Sequence, residues 1–341
     1  MFELPTVDYP TEGLVGVPEG FRLRPYAGDA DLPDVVRLEN AEHIADRIPE
    51  RSTLENMRVS FAHPGEKFDA SRDVTIALVG DEMVGYSKRD WVDLWDMDGR
   101  EYRLHGVVDP AWRRRGIGNL LLRDSERQMR ELAATHDTPR ARILGSWSAD
   151  TQVADMALLA ANGYEKVRYF FDMVRRSLDD IPEIPMPDGL ESRPVTPDIY
   201  RRVWDADVEA FRDDWGGFDT SEESFQKFIS YPDFDPSIWV IAFDGDEPAG
   251  GVINFIDPQE NEALGIKRGW LGSVWTRRRW RRRGLARATI ARSLEILRDR
   301  GMTTAALGVD ADNPSGALGL YEQGGFEVDF RSTAWRKPFE L

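Results

Sequence analysis

Short apolar runs and longer amphipathic ones follow one another along this chain in an order that occurs twice. In the second half, residues 190–194 read as a short strand and 197–211 as a helix with proline at its start, where the missing N–H costs nothing. Thr220, with Glu223 three residues on, has the form of a capping box opening another short helix. The apolar runs 238–243 and 249–255 flank Gly245-Asp246, which reads as a β-hairpin. Residues 269–276 form the next predicted strand, and 285–298 a long helix by their 3.6-residue period. A strand over 303–309, a helix over 314–323 and a closing strand over 326–336 complete the series. The first half repeats it, with a hairpin around Gly80-Asp81 and a long helix over 118–134. Antiparallel strands followed by a strand–turn–helix–strand unit predict an α+β fold, each copy a mixed, mostly antiparallel sheet flanked by helices.

Four anchors put the two copies in register. Arg24-Pro25 matches Arg193-Pro194, Gly80 matches Gly245, Gly116 matches Gly284, and Gly163-Tyr164 matches Gly325-Phe326, at offsets of 169, 165, 168 and 162 residues. Constant order with slowly drifting offsets is what a duplicated unit with small loop insertions produces. Between the copies, Ile181-Pro182-Glu183-Ile184-Pro185-Met186-Pro187-Asp188 carries three prolines and predicts an extended connector. The expected layout is an N-terminal extension over 1–20, a first domain over 21–180, a linker over 181–188 and a second domain over 189–341.

Composition narrows the function classes. The 341 residues suit two domains, and a net charge of −17 argues against broad affinity for nucleic acid or anionic membranes. The chain has no cysteine, which excludes disulfides, thiolate metal sites and an acyl-cysteine intermediate. The four histidines, His43, His63, His105 and His136, all lie in the first half and show no helix-face metal spacing, so no metal is expected. No apolar run approaches the ~20 residues that span a bilayer, and the first residues lack the form of a secretory signal, which predicts a cytoplasmic protein.

The chemistry centres on a turn found in both copies. Arg113-Arg114-Arg115-Gly116-Ile117-Gly118 and Arg281-Arg282-Arg283-Gly284-Leu285-Ala286 each lie between an apolar strand and an apolar-periodic helix. Unpaired first-turn amides and the helix dipole attract an anion there, small residues let a pyrophosphate approach, and the arginines add charge. The run 277–283, six arginines and one tryptophan, also fits nucleic acid locally, but the acidity of the chain and the repeat oppose that reading. Downstream, Asn313 reads as a helix cap, Ala317, Leu320 and Tyr321 share a helical face, and Gly325 ends the helix before Phe326.

The two turns, with Asn-x-x-x-Ala-x-x-Leu-Tyr-x-x-x-Gly-Phe over 313–326, resemble the GNAT superfamily of acyl-CoA-dependent N-acyltransferases. The tandem form is similar to mycothiol synthase-like actinobacterial proteins. The resemblance implies acetyl-CoA as donor and direct transfer to a primary amine of a small molecule in a ternary complex. It implies that the backbone at Val274, Trp275 and Thr276 pairs with the pantetheine arm. Arg281, Arg282, Arg283, Gly284, Leu285, Ala286 and Arg287 would surround the pyrophosphate. Asn313 would lie near the reactive end, and Tyr321 would protonate the departing thiolate. In the first copy, Gly106, Val107 and Val108 mirror the strand, and Arg113, Arg114, Arg115, Gly116, Ile117 and Gly118 the turn. Leu159 and Thr151 stand where Tyr321 and Asn313 do, so the first domain is expected to bind acyl-CoA at most and to be catalytically silent; His105 reads as a structural strand histidine. No carboxylate occupies the strand 269–276, which leaves Glu260, Glu262, Asp213 and Asp214 as alternatives for a general base acting through water, or an amine of lowered pKa that arrives neutral and needs no strong base. The acceptor loop is expected around Asp213, Asp214 and Trp215, whose acids and indole suit a cationic amine. The alternatives are acetylation of a pseudo-disaccharide amine of the mycothiol synthase type, or a non-catalytic acyl-CoA-binding protein. Monomer and homodimer both remain open.

Overall fold

The computed structural model describes residues 17–313 and 316–341 and divides into two compact units. In chain order the elements begin β1 (Phe21–Pro25), α1 (Leu32–Asp46), α2 (Leu54–Ala62), α3 (Ala70–Asp73), β2 (Val74–Val79), β3 (Glu82–Asp93) and β4 (Gly99–Val108). They continue through α4 (Ile117–Thr135), β5 (Ala141–Ala149), α5 (Val153–Ala161) and β6 (Glu165–Arg175). The second series is β7 (Glu191–Ser192), α6 (Tyr200–Ala210), α7 (Glu222–Ser230), β8 (Val240–Asp244), β9 (Glu247–Phe255), α8 (Pro258–Leu264) and β10 (Arg268–Thr276). It closes with α9 (Leu285–Asp299), β11 (Thr304–Asp310), α10 (Ala317–Gln323) and β12 (Glu327–Pro338).

The units are not the linear halves that the proline-rich segment suggests. One comprises residues 1–167 with 332–341, the other 168–331, so residues 181–188 lie wholly inside the second. In the first, strands run β1-β2-β3-β4-β5, antiparallel except for β4–β5, and residues 332–338 of β12 pair antiparallel with β5. In the second, β7-β8-β9-β10-β11 repeats that pattern with β10–β11 parallel, and residues 170–175 of β6 pair with β11. Each copy's closing strand thus serves the other copy's sheet. Local composition cannot reveal this exchange, because both strands begin with exposed residues and become buried only further along.

Backbone geometry repeats at the anchors. Gly80 and Gly245 have φ of 59° and 57°, Gly116 and Gly284 79° and 87°, and Gly163 and Gly325 82° and 80°. Only glycine adopts such angles without a Cβ penalty, which explains why these positions read so clearly in the sequence. The second helix of the second unit is capped one residue later than the Thr220–Glu223 pair suggests: the Ser221 hydroxyl accepts from the Ser224 amide. The short helix α8 has no counterpart in the sequence reading.

Each sheet is covered on both faces. In the second unit, Val203, Ala206, Ile241, Phe243 and Trp275 pack on the α6 side, while Leu271, Ile290, Leu294, Leu307 and Tyr321 pack on the α9–α10 side. The first unit has Val35, Leu38, Tyr86 and Val107 on its α1 side and Leu104, Leu122, Met129 and Leu159 on its α4 side. Alternate residues of β4 therefore face opposite layers, while on β10 the irregularity between Leu271 and Ser273 reverses the faces and puts Trp275 opposite Leu271; the chemistry is built on this arrangement. Among the described residues, no helix is long and apolar enough to cross a membrane.

Candidate active site

The central strands part company halfway. In the first unit β4 pairs with β5 only from Gly99↔Ala141 to Arg103↔Gly145, and in the second β10 pairs with β11 only from Arg268↔Thr304 to Trp270↔Ala306. A register shift between Leu271 and Ser273 marks the point of divergence on β10. Beyond it, the backbone of Leu271–Thr276, which includes Val274, Trp275 and Thr276, no longer pairs with β11, and an extended ligand can use that edge. Trp275 turns its indole into the core, so its contribution to a ligand is backbone only.

At the end of each open edge lies the turn. Arg114 and Arg282 both have φ of 64°, an uncommon left-handed conformation for a residue with a Cβ, and Gly116 and Gly284 follow two positions later. Alternation of this kind aims successive amides into one concavity that suits an anion. Gly116 and Gly284 are the N-caps of α4 and α9, and neither helix has a side-chain cap. Their first-turn amides therefore lack both an intrahelical partner and a capping side chain. Ile117 and Leu285 are buried in the core, leaving Gly118 and Ala286 as the small residues beside the concavity. A diphosphate fits these donors.

The arginines do something other than the sequence suggests. Arg113 binds Asp46 at 2.6 Å and Glu42 at 3.3 Å, both on α1. Arg281 bonds the carbonyls of Thr276 and Ala210 at 2.9 Å each and Asp213 at 3.1 Å. These two guanidiniums clamp the turn to the end of the first helix of their unit. Arg115 stacks on Trp112 at 4.7 Å, Arg283 reaches the Asp188 carbonyl at 2.7 Å, and Arg287 bonds Gln323. Arg277 pairs with Glu209 at 2.8 Å, Arg278 with Asp213, and Arg279 with Glu247 at 3.6 Å. Most of the arginine-rich run is thus matched by acids of its own unit.

Around the gap in the second unit, Tyr321 is buried on α10 beside Phe326, at a ring separation of 6.2 Å. Burial, then the charge of Asp214, pushes its phenol well above the ordinary tyrosine range, so it stays protonated. Asn313 lies in the turn after β11, its amide bonded to the Asp310 carbonyl at 3.1 Å. Pro314 and Ser315, the expected start of this helix, lie outside the described residues. Of the expected acceptor loop, Asp213 is taken up by Arg278 and Arg281. Asp214 is pushed up to about 6 by burial and by the charge of Asp310, and Trp215 packs at 5.8 Å from Phe170. Glu260 is buried against Arg268 at 3.1 Å and serves the strand, which removes it as a base.

Two carboxylates that the sequence reading missed face the open strands. On α6, Asp207 Oδ1 accepts from the Ser273 hydroxyl of β10 at 2.6 Å. Burial pushes the Asp207 carboxyl up to about 7, against the downward pull of that bond. On α1, Glu39 accepts from Tyr86 and lies 3.3 Å from His105 Nε2 on β4. Asp207 follows Glu39, and Ser273 follows His105, by the same 168 residues that separate Gly284 from Gly116. Comparing the two copies at that offset was the available signal.

Fold, open strand edge and uncapped amide turn together define an acyl-CoA-dependent acyltransferase. Comparison with known proteins agrees: the model of the acetyltransferase (GNAT) family matches residues 200–326. The mycothiol acetyltransferase of Thermomonospora curvata is 32% identical over 231 residues, 64% of this chain and 68% of that one. That of Geodermatophilus obscurus is 26% identical over 322 residues, 90% of this chain and 94% of its own. This chain belongs to the GNAT family of acetyltransferases; it is an acyltransferase, with acetyl-CoA as donor. In fold it is similar to a GCN5-related N-acetyltransferase from Sphaerobacter thermophilus, with a TM-score of 0.69, 24% identity, and coverage of 95% of this chain and 99% of that one. A tandem GNAT protein from the clavulanic acid biosynthesis pathway has a TM-score of 0.65 at 19% identity, covering 93% of this chain and 98% of its own.

Proposed function

We propose that the second unit transfers the acetyl group of acetyl-CoA directly to a primary amine of a small molecule in a ternary complex. The observation that carries this reading is the uncapped N-terminus of α9, set behind the left-handed Arg282 and directly after the open half of β10. The diphosphate would sit on those amides and the pantetheine arm along Leu271–Thr276. Ser273, bonded to Asp207 of α6, and Tyr321, packed on the α9–α10 side, would approach the gap from opposite faces of the sheet. Asp207, with a carboxyl near neutrality, takes the acceptor's proton through the Ser273 hydroxyl. The nitrogen attacks the thioester carbonyl, whose oxygen is stabilised by strand amides. The C–S bond breaks, and Tyr321 gives its proton to the thiolate.

The relatives named mycothiol acetyltransferase match along nearly the whole chain, which favours a second, narrower reading: an amino-sugar acceptor such as the pseudo-disaccharide amine of mycothiol assembly. Release of CoA thiol from acetyl-CoA, measured across amines that include this compound, distinguishes a general from a dedicated acceptor. Tyr321→Phe should lose turnover while still binding CoA; an unchanged rate would remove Tyr321 from the reaction.

A further inference from the structure

The first unit holds a cleft of about 370 Å³ lined by His105, Gly106 and Val108 of β4, the turn at Arg114 and Gly116, and Asp155 of α5. Against the expectation of a silent domain, this cleft holds an ordered acid–base group. His105 Nε2 lies 3.3 Å from both Glu39 Oε1 and the Tyr86 hydroxyl, and Tyr86 donates to Glu39. Burial pushes the Glu39 carboxyl up, but the hydrogen bond and charge of His105 and the bond from Tyr86 hold it down at about 2. A carboxylate at Nε2 makes that nitrogen the N–H donor and leaves the Nδ1 lone pair as the proton acceptor. The ring itself is half exposed (48%), while Glu39 (13%) is not. A histidine kept only for packing would not need an ionised carboxylate from another element while its own ring stands open to a cleft.

The geometry points to a second acyl-transfer site in the first unit, with His105 as the base, Glu39 and Tyr86 as positioning residues, and a cationic primary amine as acceptor. It goes beyond the reaction of the second unit and shares with it the acyl donor and the amine class of acceptor, but none of the catalytic groups. An ammonium is drawn by Asp155 at the cleft wall and Glu39 behind the imidazole, while Arg113 on the same wall is already paired with Asp46 and Glu42; burial raises the Asp155 carboxyl against the pull of Arg113 and His105. His105 takes one proton from the acceptor's ammonium. The amine forms the C–N bond, the C–S bond breaks, and the thiolate leaves with the proton the nitrogen sheds as it becomes an amide; the imidazolium then releases its proton to solvent. Leu159, buried at the position of Tyr321, supplies no acid, so the two units would divide the catalytic groups differently: an imidazole base without an acid in one, a carboxyl base with a phenolic acid in the other.

The test uses the full-length chain carrying Tyr321→Phe, acetyl-CoA, and glucosamine, tyramine, putrescine and lysine as acceptors. CoA release above the about 10²-fold-reduced rate left to the second unit is expected with at least one of them, and that excess should fall at least tenfold on adding His105→Gln and several-fold on adding Glu39→Gln. His105→Asn serves as a second variant should the glutamine disturb folding. Both losses should fall on kcat, with the KM for acetyl-CoA and the melting temperature unchanged. Absence of any residual turnover in Tyr321→Phe, or a residual rate indifferent to His105→Gln, overturns the proposal and leaves the second unit's chemistry intact. Conversely, turnover lost with His105 but not with Tyr321 sustains this site and removes the other.

Discussion

Asp207 is a carboxyl that the fold holds at a cost, and its removal should show this. Its folded pKa is raised to about 7 by burial, whereas the unfolded chain releases the proton near ~4. Between those values the folded protein keeps a proton that the unfolded chain has given up. Stability therefore falls as pH rises through that window and is flat above it. About three units at ~1.4 kcal/mol each set a ceiling of ~4 kcal/mol. Asp207 keeps partial solvent contact, which brings the expected figure nearer ~2 kcal/mol. Asp207→Asn retains an oxygen for the Ser273 hydroxyl but cannot ionise. In urea unfolding followed by tryptophan fluorescence, the variant should match the parent near pH 4 and exceed it by ~2 kcal/mol at pH 8. The same variant should turn over acetyl-CoA more slowly, a gain in stability bought with function. A stability difference that is constant from pH 5 to 8, or an asparagine variant weaker at pH 8, would refute the reasoning.

Other outcomes follow from the same geometry. Tyr321→Phe keeps the ring that packs against Phe326 but loses the proton, so kcat should fall about 10²-fold with unchanged melting temperature and CoA affinity. Gly284→Ala meets nothing within 4 Å of the added carbon yet forces φ of 87° on a residue with a Cβ, costing ~1 kcal/mol. CoA titration calorimetry should show weaker binding for it, whereas Gly301→Ala, at φ of 84° but far along the chain from the turn, should lose similar stability and no affinity. A chain ending at residue 180 lacks the 332–338 segment that pairs with β5, and one starting at 189 lacks the 170–175 segment that pairs with β11. Neither fragment should melt cooperatively by circular dichroism when made alone; a parent-like transition from either would contradict the exchange.

Much of the candidate site was legible in the residue order because its constraints are local. A left-handed backbone angle favours glycine, an uncapped helix start needs small residues, and hairpins need their turn residues. These demands repeat wherever the unit repeats, which is why the turns at Gly116 and Gly284 and the hairpins at Gly80 and Gly245 could be aligned before any fold was known. Their strand–turn–helix context carried the family resemblance as well.

Other features depended on distance in space. Which acid meets which strand residue is set by a helix crossing a sheet face, so Glu39 with His105 and Asp207 with Ser273 read as unrelated polar positions until α1 and α6 were docked. The arginines illustrate the same limit: their number suggested charge for an anion, but packing turned Arg113 and Arg281 toward their own acids. Strand exchange is the extreme case, since hydrogen bonding across a sheet is indifferent to sequence separation, and β6 and β12 carry nothing in their own residues that names a partner. Local backbone chemistry was written in the sequence; the pairing of charges and strands was decided by tertiary structure, because only packing brings distant groups within reach of one another.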